Sequence, residues 1–426
     1  MNVIKPYDII GDIHGHADAL DALLHKLDYE KINGIWRHPA DRKVIFVGDF
    51  IDRGPKIRET LKTVRAMVDA GNALAVMGNH EHNAICFHTP DGRGGHLLSH
   101  TVGDGKNVKD LRATLDQIAI PEPEEWAEWL SWFKTLPLFL DLGDLRVVHA
   151  CWDAEGIAVL KGENRLSDEL LHKSVIKGSP EHRAIRAMIK GKDVALPDGH
   201  TFTTPAGDVA SAVRVKWWLN SDGHTYHSLC FPECDTVPKV PLPATATAGL
   251  NLGYADTEPP TFVGHYWLMA ATPEPLASNL ACVDYSIAKD GGMLTAYRWD
   301  GERRLDPQKF VSVSRASLVE KPFKVLVDDN FDFMDEDARS TLGAFPTLEA
   351  ARAACKKVVD DFLLNRHKPG MTAEELYDDY TSFGDDPWIS TGDGVRHFSA
   401  WEYAEQRCDE ICGNGRQDEG GPGNGN

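Results

Sequence analysis

The sequence predicts an α+β protein whose charged groups collect where its strands end. Three observations predict it. A short apolar run leading into a polar turn occurs three times early in the chain, a hairpin and further strand runs follow, and residues of metal-binding type stand directly behind five of the apolar runs.

Tyr7-Asp8-Ile9-Ile10 is a short strand that runs into Gly11-Asp12-Ile13-His14-Gly15. Asp12 and His14 are two apart, so in extended backbone they point to one side, as two ligands of one metal must. Leu20, Leu23, Leu24 and Leu27 fall at helical spacing and predict an amphipathic helix over 17–27. Lys43-Val44-Ile45-Phe46-Val47 has the composition of a strand buried on both faces, and it delivers Gly48-Asp49-Phe50-Ile51-Asp52-Arg53-Gly54-Pro55. Two acids, an arginine and Gly-Pro continue neither strand nor helix; they hang charge on a tight turn. In an open sheet that edge is where ligands bind. Leu61, Val64 and Val68 mark a second helix over 57–70, and Ala73 to Met77 then runs into Gly78-Asn79-His80-Glu81.

Residues 84–120 are less regular and read as a surface excursion. Trp126, Trp129, Trp132 and Phe133 predict a helix over 124–134 whose aromatic face packs in the core. Leu138 to Leu140 and Leu145 to Val148 predict a hairpin about Gly143-Asp144, and its second arm ends at His149. Arg214 to Leu219 reads either as a strand carrying Arg214 or Lys216 to a substrate, or as an amphipathic segment with solvated charges. Residues 231–260 are rich in Pro, Ala and Thr and read as a long loop or insertion. Order returns at Pro260 to Val263, which ends in Gly264-His265. Leu280 to Asp284 and Met293 to Trp299 read as two strands of a second sheet, joined by a turn with Gly291-Gly292.

Composition bounds the function. The chain has 426 residues, 42% hydrophobic and 26% charged, enough for two domains. Its net charge of -20 argues against an extended nucleic-acid footprint, although bound cations can invert the field locally and admit a phosphorylated substrate. Eight unevenly spaced cysteines fit free thiols in a reducing compartment. With no membrane-length apolar run and no charged-then-apolar leader, a soluble cytoplasmic protein without a membrane partner is expected.

A lone histidine behind a strand is an ordinary structural residue. Five strand ends bearing Asp12 and His14, Asp49, Asn79, His149 and His265 are about what two partly open coordination shells need. Two cations need a bridging carboxylate, and Asp49, central in the set with Asp52 nearby, is the best candidate. Oxygen and nitrogen ligands without thiolate favour manganese, iron, zinc or a similar ion. Such a pair, roughly 3.5–4 Å apart, can deprotonate a bridging water for in-line displacement at phosphorus.

Taken in order, Gly11-Asp12-Ile13-His14-Gly15, Gly48-Asp49-Phe50-Ile51-Asp52-Arg53-Gly54, Gly78-Asn79-His80-Glu81, Val148-His149-Ala150 and Gly264-His265 resemble the calcineurin-like metallophosphoesterases. The Asp-Arg-Gly turn is similar to the phosphoprotein phosphatase branch, with its bacterial Ser/Thr phosphatases and symmetrical diadenosine tetraphosphatases. Val283-Asp284 and Gly291-Gly292-Met293-Leu294-Thr295-Ala296 resemble the end of the bacterial catalytic domains. The resemblance covers 7–312, densely to about 150 and again over 261–300.

This resemblance implies a four-layer αββα sandwich with a dimetal centre at the strand ends. It implies that Asp12, His14 and Asp49 hold one metal and Asp49, Asn79, His149 and His265 the other, with manganese the first expectation and iron, zinc or nickel the alternatives. Arg53 would grip the phosphoryl oxygens, a match for the guanidinium fork. His80 would protonate the leaving oxygen while Asp52 orients it. Arg214 is the candidate for the branch's further arginine. Tyr266-Trp267 follows His265 where many phosphodiesterase branches place a second histidine, which shifts weight to phosphomonoesters or phosphoanhydrides. Cys151, beside a ligand, reads as a small buried thiol before any redox or metal role.

Domain boundaries are expected at 1–315 for the catalytic domain and 320–412 for a smaller C-terminal α/β module, with 413–426 a disordered tail. In the module, a strand at Phe323 to Val327 precedes helices over 348–364, 373–380 and 399–412, with Thr347 and Ser399 as caps. The function expected is a dimetal phosphohydrolase in which a metal-bridging hydroxide attacks a phosphomonoester or phosphoanhydride. Its partner would be a dinucleoside polyphosphate or a phosphoprotein. The alternative is a silent phosphatase fold acting as a scaffold through its C-terminal module.

Overall fold

The computed structural model describes residues 5–99, 105–197, 199–203, 209–318, 323–329, 339–391 and 397–413. The tail over 414–426, the module acids Asp335, Glu336 and Asp337, and the 100–104 part of the expected excursion lie outside the described residues. The chain divides into two compact units, Met1–Leu318 and Val319–Asn426. Among the described residues, no helix is long and apolar enough to cross a membrane.

The first unit is built on two sheets. Strand Tyr7–Ile10 lies at the middle of the larger one, parallel to Lys43–Phe46, which in turn is parallel to Ala73–Ala75. Its other neighbour is the antiparallel Met293–Trp299, so that Ile9 faces Ile45 on one side and Tyr297 on the other. Side chains alternate across this sheet, as the two-residue strand period requires. Ile10, Val44 and Phe46 fall in one buried cluster with Leu20, Leu24, Leu61 and Val64 of helices Ala17–Lys26 and Ile57–Asp69. Ile9, Ile45, Val47 and Val76 instead meet Val147, Phe262 and Ala281 of the second sheet, with Val283 beside them. Burying each such side chain contributes roughly 1.5–3 kcal/mol, so the alternation fixes both layers at once.

The second sheet runs Leu280–Cys282, Thr261–Val263, Arg146–Val148, Phe139–Asp141. Its opposite-face residues Val148, Val263, Leu280 and Cys282 join the cluster that holds Ile185, Met188 and Ile189 of helix Pro180–Lys190. Helices, sheet, sheet and helices are the four layers. Trp126, Trp129, Trp132 and Phe133 are buried on helix Pro123–Thr135.

Two expectations are corrected. Met293–Trp299 is not in the second sheet; it pairs with Tyr7–Ile10 in the first. The apolar run before it is shared, since Leu280–Cys282 belongs to the second sheet and Asp284–Tyr285 to the first. The crossing occurs at Val283, whose carbonyl lies where a Cβ on Gly11 would stand, 2.0 Å away. A side chain at Gly11 would push the sheets apart. The second correction concerns 84–120. Ala84 to Phe87 are buried in helix Asn79–His88, and helix Gly105–Thr114 continues as a π-helical turn, Leu115–Ala119, that reaches the polar edge of the sheets.

The second unit has its own antiparallel sheet, with Phe323–Asp329 between Ser340–Phe345 and Asp385–Ser390. Pro387 sits in an outer strand, where a missing N–H is tolerated. Helices Leu348–Arg366 and Ala400–Ile411 are capped by Thr347 and Ser399.

Candidate metal centre

The carboxyl ends of strands from both sheets meet at Asp49. Its strand stops at Phe46, and the chain turns through left-handed backbone at Asp49 (φ 54°), Asp52 (φ 69°) and Arg53 (φ 68°). His14 (φ 45°) and His265 (φ 71°) adopt the same unusual conformation. Such residues cost free energy, and their gathering at one edge marks a site. The backbone from Asp12 to His14 is therefore a tight turn, not the extended alternation expected.

Two groups of ligand-type side chains share Asp49: His14, Asp49 and His80, and Asp49, His149 and His265, with the ligand atoms of each group within 4.8 Å of one another. His149 Nε2 is 3.3 Å from Asp49 Oδ2 and His14 Nε2 is 3.8 Å from it. Backbone carbonyls set the rings. His14 Nδ1 donates to Ile51 O at 2.8 Å and His149 Nδ1 to Val47 O at 2.7 Å, which leaves each Nε2 lone pair pointing inward. Asn79 Oδ1 is 2.6 Å from His265 Nδ1 and 3.2 Å from His149 Nε2. Asp12 joins the set through Oδ2, which accepts the His265 N–H at 3.0 Å.

These residues fit metal ions on two grounds. Asp12 Oδ1, His14 Nε2, Asp49 Oδ2 and His265 Nε2 are buried without a hydrogen-bond partner, a costly state for four groups in one place unless a cation completes it. The charges are also unbalanced. Burial and the neighbouring carboxylates Asp284 and Asp49 push Asp12 well above the usual carboxylate range. Burial acts the same way on Asp49, but His149, His80 and His14 outweigh it and hold it well below. A divalent ion relieves both conflicts.

A second constellation borders this one. His80 Nδ1 lies 2.5 Å from Asp52 Oδ2, and its Nε2 is 3.5 Å from Arg53 Nη2. Burial pulls the His80 imidazolium down, but the charge of Asp49 and the bond to Asp52 prevail and its pKa is raised. Arg53 is exposed, with its guanidinium carbon 3.6 Å from the centre of the Trp267 ring. Of the two downstream cations, Arg214 is the one whose charge is felt at His265, while Lys216 pairs with Glu233 at 2.9 Å. Arg214 also lies 3.6 Å from Asp193. Cys151 is a fully buried thiol whose pKa burial pushes up.

Several participants escaped sequence reading. Glu81 was visible only as a letter in Gly78-Asn79-His80-Glu81. Its carboxylate accepts the N–H groups of Asp49 (2.9 Å), Phe50 (2.8 Å) and Gly78 (3.0 Å), tying the second and third strand ends together. A glutamate three residues into a helix is a capping signal that could have found it. Thr114 holds Asp52 from the segment read as an excursion, and no local signal marks it. Lys190, at the end of helix Pro180–Lys190, bonds to Asn83 and is felt by Asp49. Asp284 receives the Trp267 N–H at 2.6 Å.

Residues 5–226 match the family described as calcineurin-like phosphoesterase. The asymmetrical bis(5'-nucleosyl)-tetraphosphatase PrpE of Bacillus subtilis (strain 168) is 30% identical over 244 residues, spanning 54% of this chain and 93% of its own. Its namesake from Geobacillus thermodenitrificans (strain NG80-2) is 36% identical over 238 residues, spanning 54% and 92%. Among solved structures, a protein serine/threonine phosphatase from Saccharomyces cerevisiae aligns with a TM-score of 0.37 at 14% identity, over 74% of this chain and 80% of that one.

Proposed function

The chain belongs to the calcineurin-like phosphoesterase family, and on that footing we propose that it is a cytoplasmic dinucleoside polyphosphate hydrolase working with two divalent cations, manganese first among them. The observation that carries the reading is the convergence of four orphaned ligand atoms around Asp49, next to the pair His80–Asp52 and the exposed Arg53.

Asp12, His14 and Asp49 would hold one cation, and Asp49, Asn79, His149 and His265 the other. The chemistry such cations supply when bound is activation of water for attack at phosphorus and neutralisation of phosphoryl charge. The chain's own groups do the rest. Arg53 grips two phosphoryl oxygens with its planar fork, and Arg214 adds positive charge on the His265 side. His80 gives its Nε2 proton to the leaving oxygen, and Asp52, bonded to Nδ1, fixes the ring so that this nitrogen carries it. In a protein of net charge -20, cations gathered at one edge favour a strongly anionic substrate. A scaffold has no use for His80, Asp52 and Arg53 together.

The relatives' names favour dinucleoside polyphosphate over phosphoprotein, and asymmetrical cleavage over the symmetrical cleavage suggested by the branch resemblance. Free cysteines, six of eight buried, support a reducing compartment. The test is a manganese-loaded panel of diadenosine tetraphosphate, a phosphoserine peptide and a bis-aryl phosphodiester. We expect AMP and ATP from the first at the highest kcat/KM, and loss of both turnover and metal from Asp49→Asn. Preferred turnover of the peptide would overturn the substrate assignment, and no turnover of any ester or anhydride would overturn the enzyme.

A further inference from the structure

Trp267 follows the ligand His265 by two residues and is itself held in left-handed backbone, φ 55°, by the bond from its N–H to Asp284. Strain of that kind is maintained for a purpose. The indole is half-buried, and its centre is 5.6 Å from that of the His14 ring. Two cations share it. Arg53 stacks on the ring at 3.6 Å, and the Lys289 ammonium lies 4.6 Å from the same centre. Like charges do not gather without compensation. Lys289 feels the charge of Arg53, and Asp284, the acid acting on Lys289, has its oxygens engaged by the N–H groups of Trp267 and Ser286. Among the described residues, Lys289 forms no ion pair with any carboxylate.

We propose that Trp267 is the platform that positions Arg53, and that Lys289 on the same indole binds the phosphoryl group next to the scissile one, so that the site selects a phosphoanhydride chain over a lone phosphoester. The inference rests on the phosphohydrolase reading of the metal centre and deepens it. The indole π-system attracts both cations and limits their freedom, which lowers the ordering cost of anion binding. Neighbouring groups of an anhydride are one bridging oxygen apart, so two cations on one ring meet two adjacent charged phosphoryl groups. A phosphomonoester offers only one such group. An acidic side chain beside a phosphoserine is the competing occupant, but it hangs on a flexible tether and gains less from cations fixed on one ring.

The test compares the full-length, manganese-loaded protein with Lys289→Met, Trp267→Leu and Trp267→Phe. For Lys289→Met we expect the ratio of kcat/KM for diadenosine tetraphosphate over p-nitrophenyl phosphate to fall at least tenfold, mainly through KM. Trp267→Leu should raise KM for both substrates, and Trp267→Phe should restore most of it, which a merely structural role for the indole would not predict. A parallel titration in metal-saturated buffer reads the same selectivity without turnover. There Lys289→Met should weaken tripolyphosphate at least tenfold more than inorganic phosphate. If turnover is absent while that binding preference holds, the hydrolase reading fails and the platform stands. Equal effects on both ligands, or a Lys289→Met effect confined to acidic phosphopeptides, would overturn the proposal.

Discussion

Thr114 both receives and gives a hydrogen bond at Asp52: its Oγ1 accepts the Asp52 N–H at 3.0 Å, and its hydroxyl donates to Asp52 Oδ1. The other carboxylate oxygen meets His80, so one threonine 62 residues away in sequence fixes the acid that fixes the histidine. Thr114→Val keeps the shape and removes both bonds. We expect kcat to fall about tenfold, the equivalent of roughly 1.4 kcal/mol, and most for substrates with poor leaving groups. Metal content should be unchanged, and Thr114→Ser should recover most of the activity. A uniform loss across leaving groups would argue against His80 as the acid.

Gly264 has no room for a side chain. A Cβ there would stand 2.1 Å from Asp12 Oδ1, one of the buried atoms without a hydrogen-bond partner. Gly264→Ala should therefore displace Asp12 and lower metal stoichiometry, measured by atomic emission after dialysis, while far-ultraviolet circular dichroism stays native. Full metal retention would remove Asp12 from the ligand set.

Glu81 satisfies three buried N–H groups, and burial together with Asp49 pushes its carboxyl up to about 7. Glu81→Ala leaves all three donors without a partner, at about 1–3 kcal/mol each. The expected loss is about 3 kcal/mol or more, read as a lower urea midpoint at unchanged slope. Glu81→Gln, which keeps one carbonyl acceptor, should lose less.

His82 supplies a pH signature. It is buried against Ser174, with Nε2 2.9 Å from the hydroxyl, and burial together with Lys190 lowers its pKa to about 3. Unfolded, it titrates near 6.5. The folded value is the lower one, so the unfolded chain binds the extra proton and stability falls as pH drops from about 6.5 toward 3. By pH 5 the loss is about 2 kcal/mol at about 1.36 kcal/mol per unit. Urea unfolding of the chelator-treated protein at pH 7.5 and 5.0 should show that loss shrinking in His82→Gln.

What could be read in the linear chain was what the chain builds locally. Asp12, Asp49, Asn79, His149 and His265 each stand directly behind an apolar run, and a strand that stops at an edge presents its next residues there whatever packs around it. Thr114, Lys190 and Lys289 carry no such mark. They reach the site through tertiary packing across tens or hundreds of residues, which neither spacing nor periodicity records. The split of Leu280 to Asp284 between sheets was hidden for a related reason: both halves are equally apolar, and the switch depends on Gly11 admitting the Val283 carbonyl. The turn at His14 likewise exceeded what a two-residue alternation rule can express.

The strand order carries a consequence for synthesis. Tyr7–Ile10 leaves the ribosome long before its antiparallel neighbour Met293–Trp299, which lies near the end of the first unit. Until that neighbour emerges, a strand of fully buried type travels with one hydrogen-bonding edge open, a template for pairing with other chains. The candidate ligands are spread along the same interval, from Asp12 to His265, so cations cannot complete the second group of the centre until the chain has emerged past His265. Yield of folded protein should therefore depend on elongation rate and on chaperones that shield strand edges, more than on the stability of the finished molecule.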